Sequence, residues 1–124
     1  MKINILVITG LLALPNAYAG DSLRGFSCSV SKNSVPEMTV NVFLNAQTPA
    51  VVTLENGDQI QISAKLLLSY AEDGITHNVV ELLQDKFDSK EQKIGHGKLT
   101  GEFHKGATPH FTNGDTETSC IAAY

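Results

Sequence analysis

Residues 50–83 read AVVTLENGDQIQISAKLLLSYAEDGITHNVVELL, and this stretch decides the fold. Two tripeptides of one type, Glu55-Asn56-Gly57 and Glu72-Asp73-Gly74, interrupt a regular alternation of apolar and polar residues. A three-residue hairpin loop typically ends in a residue with positive φ, a conformation in which glycine avoids a steric clash. The stretch therefore predicts two consecutive β-hairpins, each with one tripeptide as its loop.

The register of these hairpins follows from which residues lie opposite each other. Opposite residues of antiparallel strands share a face, so the correct register sets apolar residues against apolar residues. Three-residue loops achieve this, whereas a two-residue loop at Asn56-Gly57 would set a valine and a leucine against glutamines. The predicted pairs are Leu54–Asp58, Val52–Ile60, Ala50–Ile62, Ala71–Ile75, Leu66–Val80, Ala64–Leu82 and, on the other face, Lys65–Glu81.

The same register predicts a buried face and a solvent face. The buried face consists of Val52, Leu54, Ile60, Ile62, Ala64, Leu66, Leu68, Tyr70, Val80 and Leu82. On the solvent face Leu67 is predicted to lie opposite Val79, with His77 on the same face. An apolar pair on a solvent face is typical of a contact patch, although a loop or the polar segment 85–93 would also account for it by covering it. Leu67, Val79 and His77 are therefore the candidate protein-contact residues.

Residues 1–19 have the pattern of a signal peptide. Met1-Lys2 is a short positive start, Ile3–Leu14 is apolar, and Ala17-Tyr18-Ala19 is a small-x-small cleavage site. The apolar run is shorter than the roughly 20 residues that span a bilayer, which disfavours the alternative of an uncleaved anchor. We expect a mature chain of residues 20–124, a single β domain exported to the bacterial periplasm or the extracellular space.

The mature chain is acidic. Without Lys2 it keeps 8 of the 9 Lys and Arg residues against 13 Asp and Glu residues, a net charge of −5, and it has no tryptophan. Nucleic acids and anionic membrane surfaces favour clusters of Lys and Arg, and bases stack on aromatic rings. The composition therefore argues against nucleic acid and anionic membrane surfaces as partners. Stable membrane insertion is not expected either, because the chain is short and its strands lack an outer apolar band.

The mature chain has two cysteines, Cys28 and Cys120, near its two ends. An even pair in a small exported domain predicts a disulfide bond, with two free thiols or a reactive cysteine near a base as the alternatives. The bond requires the two Cα atoms to come within roughly 7 Å. The first and last strands are therefore predicted to be neighbours, with the termini of the domain joined by this disulfide.

Alternation and turn residues predict further strands outside the central hairpins. Pro36 is expected to end pairing, the polar segment 85–93 to be a loop or a helical turn, and the long strand to bend near Ser63–Lys65. The front of that long strand is expected to pair with residues 50–54 and its back with residues 75–83. The predicted strands outside residues 50–83 are Leu23–Ser31, Glu37–Asn45, Ile94–His104, Ala107–Thr112 and Thr116–Tyr124. The predicted fold is all-β, an antiparallel meander of seven or eight strands that forms a small barrel or sandwich.

Gly95, Gly97 and Gly101 lie in phase along one predicted strand. Glycine in a strand marks a bend or the close approach of another group. Either large residues of a facing strand cover these positions, or the glycines leave an open groove beside Phe103.

No residue pattern predicts catalytic, cofactor-binding or metal-binding residues. Zinc-binding histidines normally occur in close pairs, and among the four histidines only His104 and His110 are expected to be able to meet, across a turn. Neither a G-x-S-x-G elbow nor an S-x-x-K motif is present in the mature chain. Most of the acidic residues lie in predicted turns or in the polar segment 85–93, where turn chemistry and solubility explain them.

These observations favour a small exported, non-enzymatic binding or inhibitor-type protein that acts on another protein. In size, export signal and disulfide the chain is similar to the class of small exported β-proteins that includes bacterial inhibitors of host or competitor enzymes. One alternative is a small-ligand carrier with a cavity in a β-barrel. A second alternative is a hydrolytic enzyme.

Overall fold

The computed structural model describes residues 22–124, so the predicted signal peptide of residues 1–19 lies outside the described residues. The strands of the described part are β1 (Gly25–Lys32), β2 (Val35–Phe43), β3 (Ala50–Thr53), β4 (Gln59–Glu72), β5 (Ile75–Phe87), β6 (Lys93–Gly101), β7 (His110–Asn113) and β8 (Thr116–Ala123). They form two antiparallel sheets, with the orders β2-β1-β8-β7 and β3-β4-β5-β6. The all-β prediction is confirmed, and only the second sheet is a meander.

The buried apolar side chains of both sheets form one hydrophobic cluster. The first sheet contributes Phe26, Cys28, Val30, Val42, Phe111, Cys120 and Ala122. The second sheet and its first loop contribute Val52, Leu54, Ile60, Ile62, Ala64, Val80 and Leu82. The predicted buried face is confirmed for the residues of this second list, and Leu66 is partly buried against the cluster. The prediction is wrong for Leu68 and Tyr70, which are 55% and 39% exposed.

The predicted disulfide joins Cys28 in β1 to Cys120 in β8, and both residues are fully buried. The two cysteines are direct register partners, with their Cα atoms 4.0 Å apart. The predicted neighbourhood of the first and last strands is therefore confirmed. A disulfide is typical of proteins that reside in an oxidising compartment.

The first central hairpin has the predicted three-residue loop. Leu54 N donates a hydrogen bond to Asp58 O at 2.7 Å, and Gly57 has a φ of 94°, the positive value that the loop requires. The pairs Val52–Ile60 and Ala50–Ile62 are as predicted.

The second central hairpin corrects the predicted loop. Glu72 lies opposite Ile75, so the loop has two residues, Asp73 and Gly74, whose φ angles of 54° and 76° are typical of a type I′ turn. The predicted pair Ala71–Ile75 is therefore wrong. Nearer the core the predicted pairs Leu66–Val80, Ala64–Leu82 and Lys65–Glu81 are confirmed.

A β-bulge at Leu67 reconciles the two halves of this hairpin. Leu66 pairs with Val80 and Leu68 pairs with Val79, so that Leu67 is an extra residue on β4. The predicted pair Leu67–Val79 is therefore wrong, because the extra residue moves Leu68 into that position. The expected irregularity of the long strand lies at Leu67, beyond Ser63–Lys65.

Strand β5 runs to Phe87 and pairs with β4 along the whole length of β4. The predicted partners of β4 are confirmed, since residues 50–53 pair with its front and residues 75–83 with its back. The division between them is incomplete, because β5 also pairs with the front of β4, from Gln59 to Ile62. The connection from β5 to β6 is also shorter than the polar segment 85–93. The first three residues of that segment, 85–87, belong to β5, because alternate side chains in this part of the strand, such as Gln84 and Lys86, are buried in the interior.

Polar side chains line the interior at this end of β5. Gln84 is fully buried, and its Nε2 donates a hydrogen bond to Thr118 Oγ1 at 2.8 Å. Lys86 is 7% exposed, and its Nζ donates to Thr116 Oγ1 at 2.7 Å. These bonds satisfy groups whose burial without a partner would be costly. They also join the second sheet to β8 of the first.

Strand β2 contains Pro36, so the prediction that this residue ends strand pairing is wrong. Pro36 lies opposite Ser31 at an irregularity of the register. Because β2 is an edge strand, the missing N–H of proline is tolerated there. The loop before β2 has two residues, Asn33 and Ser34, with φ angles of 51° and 66°.

The glycines of β6 are covered at two positions and open at the third. A Cβ at Gly97 would lie 2.5 Å from Phe111 Cδ1, and one at Gly95 would lie 2.9 Å from Asn113 Oδ1. A Cβ at Gly101 would meet nothing within 4 Å. Large side chains of β7 therefore occupy the space that two of the glycines leave, as the first alternative expected.

Replacing Gly97 by alanine is expected to destabilise the protein by about 1–3 kcal/mol, since the added methyl group must displace the buried ring of Phe111. The matched control is Gly101→Ala, whose methyl group has free space and is expected to change stability by about 0.5 kcal/mol or less. Urea unfolding of the three proteins measures both effects. Equal stabilities of the two variants would contradict the packing of Phe111 on β6.

Reduction of the disulfide is expected to lower the free energy of unfolding by about 4 to 5 kcal/mol, because the bond closes a loop with a sequence separation of 92 residues. Urea unfolding with and without a reductant, followed by circular dichroism, measures the difference. Two alkylatable thiols in the native oxidised protein would contradict the bond.

Candidate functional site

The second central hairpin continues beyond the sheet to which it belongs. Strand β3 reaches only as far along β4 as Ile62, and β6 pairs with β5 only from Val80 onward. From Leu67 to Val79 the two strands therefore pair only with each other. We call residues Leu67–Val79 the arm.

The arm has one mainly apolar face and one polar face. Register partners share a face, and successive residues of a strand alternate between faces. The pairs Leu68–Val79, Tyr70–His77 and Glu72–Ile75 lie on one side, which we call the contact face. The pairs Ser69–Asn78 and Ala71–Thr76 lie on the other side.

The bulge explains why the apolar residues of the arm point away from the core. Val80 is fully buried, so its neighbour Val79 lies on the opposite face of β5. Leu68 pairs with Val79 and shares that face, although unbroken alternation from Leu66 would have directed it inward. A one-residue shift moves every following side chain to the other face, and here it moves Leu68 and Tyr70.

Large apolar side chains are exposed along the arm. The exposed fractions are 47% for Leu67, 55% for Leu68 and 60% for Ile75. A group of such residues on one element is typical of a surface that contacts another molecule, whereas single exposed residues are ordinary.

A hydrogen-bonded cluster holds the contact face near its base. Tyr70 and His77 stack with their ring centroids 4.9 Å apart and an angle of 11° between the ring planes. Glu102, just after β6, accepts a hydrogen bond from Tyr70 Oη at 2.8 Å and lies 2.8 Å from His77 Nδ1 through its other oxygen. The carboxylate thus ties both strands of the arm to the segment that follows β6.

The cluster shifts the ionisation of two of its groups. The hydrogen bond from His77 lowers the pKa of Glu102 below its ordinary value of 4.5, and the bond from Tyr70 adds to the effect. The same carboxylate raises the pKa of the Tyr70 hydroxyl above 10.0, because the hydroxyl form donates the hydrogen bond. Glu102 is therefore anionic across the range in which most proteins function.

The predicted contact residues all lie in the arm, in an arrangement that differs from the prediction. Leu67 is the exposed bulge residue, while Val79 and His77 are half-buried on the contact face. The sequence interpretation missed Leu68, Tyr70, Ile75 and Glu102. Asp-Gly is itself a strong two-residue hairpin signal, and a loop at Asp73-Gly74 would have identified the pairs Tyr70–His77 and Glu72–Ile75.

Two clefts lie close to the strands of this hairpin. One of about 150 Å³ lies beside the arm, between His77, Phe103 and Tyr124. A larger one of about 480 Å³ lies under the β2–β3 connection, where Gln47, Ser63 and Lys65 are part of its lining.

Within residues 22–124, no three His, Cys, Asp or Glu side chains are grouped closely enough to hold a metal ion. The same part of the chain contains no helix with the length and hydropathy that crossing a membrane requires.

No protein-family model matches the sequence, and neither a curated protein nor a solved structure is significantly similar to it.

Replacing His77 by phenylalanine is expected to raise the pKa of Glu102 towards 4.5, because the ring still stacks on Tyr70 but no longer donates to the carboxylate. Tyr70→Phe, which removes the second donor, is expected to give a smaller rise. NMR titration of the Glu102 side-chain carbon measures the pKa in all three proteins. The same pKa in all of them would contradict the cluster.

The lowered pKa of Glu102 makes the stability of the arm depend on pH. A carboxyl group whose pKa is lower in the folded state stabilises that state above its unfolded pKa. This contribution is lost as the pH falls through the folded pKa of Glu102. Above pH 4.5, amide hydrogens of the arm are expected to exchange more slowly in wild type than in His77→Phe. At lower pH the exchange rates of the two proteins are expected to converge.

Proposed function

We propose that this chain is a small exported, non-enzymatic protein of the binding or inhibitor type, and that it binds another protein through the arm. The observation that carries the proposal is the contact face, on which Leu68, Tyr70 and Ile75 are exposed together. Covering these side chains with a partner removes apolar surface from water, which favours association.

The construction of the arm supports a role in recognition. An isolated two-stranded hairpin is marginally stable in water. Here the strands continue out of a long β4–β5 pairing, and Glu102 bonds to one residue on each strand. Restraint of the contact face before binding reduces the entropy that is lost when a complex forms.

The proposed location is the bacterial periplasm or the extracellular space. The signal-peptide pattern of residues 1–19 and the disulfide bond support export.

We propose that residues 20–124 form one domain in which the two sheets are the layers of a sandwich. The single hydrophobic cluster with residues from both sheets supports this arrangement.

The two alternatives are less well supported. A carrier needs interior space, and Phe111 and Asn113 occupy the positions where the glycines of β6 would have left it. A hydrolase of the nucleophilic type needs an activated hydroxyl or thiol, and among the described residues no hydrogen bond joins a histidine ring to a Ser, Thr or Cys side chain.

Affinity capture from an extract of exported proteins tests the proposed binding. The arm variant is Leu68→Ser/Ile75→Ser, and the control is Ile121→Ser/Val35→Ser, whose residues are 55% and 58% exposed in other strands. We expect wild type and control to retain a protein that the arm variant binds more than about tenfold less tightly, since apolar anchors dominate binding energy. Binding constants for the purified partner measure the difference.

Equal retention by the arm variant and the control would contradict the role of the arm. Co-purification of a small molecule with no retained protein would favour the carrier alternative.

A further inference from the structure

The arm carries negative charge without compensating positive charge. Glu72 and Asp73 lie at its tip, and residues 67–79 include no Lys or Arg. Glu102 adds a third carboxylate beside the contact face, bonded to Tyr70 and His77. The apolar face is therefore bordered by carboxylates at the tip and near the base.

The lysines at the base of the arm do not neutralise these carboxylates. Lys65 lies opposite Glu81 in the register, and Lys98 Nζ is 3.7 Å from Glu81 Oε2. Both lysines therefore lie beside the same acid, Glu81, and among the described residues neither forms an ion pair with Glu72, Asp73 or Glu102. The arm itself retains its excess of negative charge.

The shape of the arm limits the kind of surface that it fits. Its two strands lie about 4.8 Å apart, and five residues per strand beyond the bulge extend roughly 17 Å. A ribbon of this width and length fits along a narrow depression with its apolar face on the floor.

We infer that the partner is a protein with an elongated apolar depression bordered by Lys and Arg, along which the arm lies with its contact face on the floor and its acidic tip at the border. This inference rests on the proposed function and adds the chemistry of the partner. The leucines, isoleucine and tyrosine of the arm contact the apolar floor, and Glu72 and Asp73 meet the basic border. Complementary charge of this kind accelerates association and selects among partners.

The same charges disfavour other occupants of the contact face. In a pair of arms with their tips side by side, the carboxylates of Glu72 and Asp73 would face those of the second copy, and like charges in contact oppose association. Nucleic acids and anionic lipid surfaces are repelled for the same reason.

The partner retained through the arm is the probe for this inference. Stopped-flow association is measured from about 0.01 M to about 0.15 M salt, a range in which the screening length falls from roughly 30 Å to roughly 8 Å. The test variant is Glu72→Gln/Asp73→Asn, in which asparagine keeps the positive φ of the turn. The control is Glu55→Gln/Glu91→Gln, which changes the net charge equally at exposed positions outside the arm.

We expect the test variant to associate about tenfold more slowly at low salt and to lose most of the salt dependence. The control is expected to keep the rate and the salt dependence of the wild type. In addition, a water-soluble carbodiimide is expected to couple Glu72 or Asp73 to a lysine of the partner, with loss of water and formation of an amide. Mass spectrometry identifies the joined peptides.

Three results would overturn the inference. If the charge variant associates like wild type while Leu68→Ser/Ile75→Ser still prevents binding, the basic border is wrong and the proposed function stands. If the coupled peptides come from two copies of this chain, the occupant is a second copy. If no protein depends on the arm at all, the proposed function fails and this inference fails with it.

Discussion

The pairing of β4 with β5 is the constraint on which the rest of the structure depends. It runs from the core to the tip of the arm, and the other strands of its sheet attach only to the core half. Because side chains alternate with a period of two, one extra residue is enough to reverse the face of everything beyond it. Leu67 is that residue on β4, and it moves Leu68 and Tyr70 from the side of the interior to the side that faces solvent.

The interior combines apolar packing with hydrogen bonds between buried polar side chains. Phe26, Ile60 and Leu82 pack in the hydrophobic cluster, and beside them Gln84 and Lys86 bond to threonines of β8. The buried polar side chains are satisfied by partners in the opposite sheet, so their geometry constrains how the two sheets meet. The Cys28–Cys120 bond adds a covalent constraint between the first and last strands.

The arm combines features that a purely structural hairpin does not need. Its apolar side chains lie on one face, its charge is of one sign, and a carboxylate from another segment holds its aromatic rings. A hairpin that only connected two strands would require turn residues and a few cross-strand pairs. The coincidence of apolar surface, acidic border and restraint supports the proposed role of the arm in binding a partner.

Local pattern alone determined the strand class, the loop at Glu55-Asn56-Gly57, the core half of the β4–β5 register and the pairing of Cys28 with Cys120. These features depend on alternation, turn chemistry and the predicted signal peptide, all of which are local or compositional. The bulge and the position of Glu102 against Tyr70 and His77 required the tertiary structure. An apolar run such as Leu66–Leu68 is compatible with either face, and only the sheet that packs over the core decides which leucine is the extra one. Glu102 comes to the arm through the β5–β6 pairing, a contact between distant residues that no local pattern encodes.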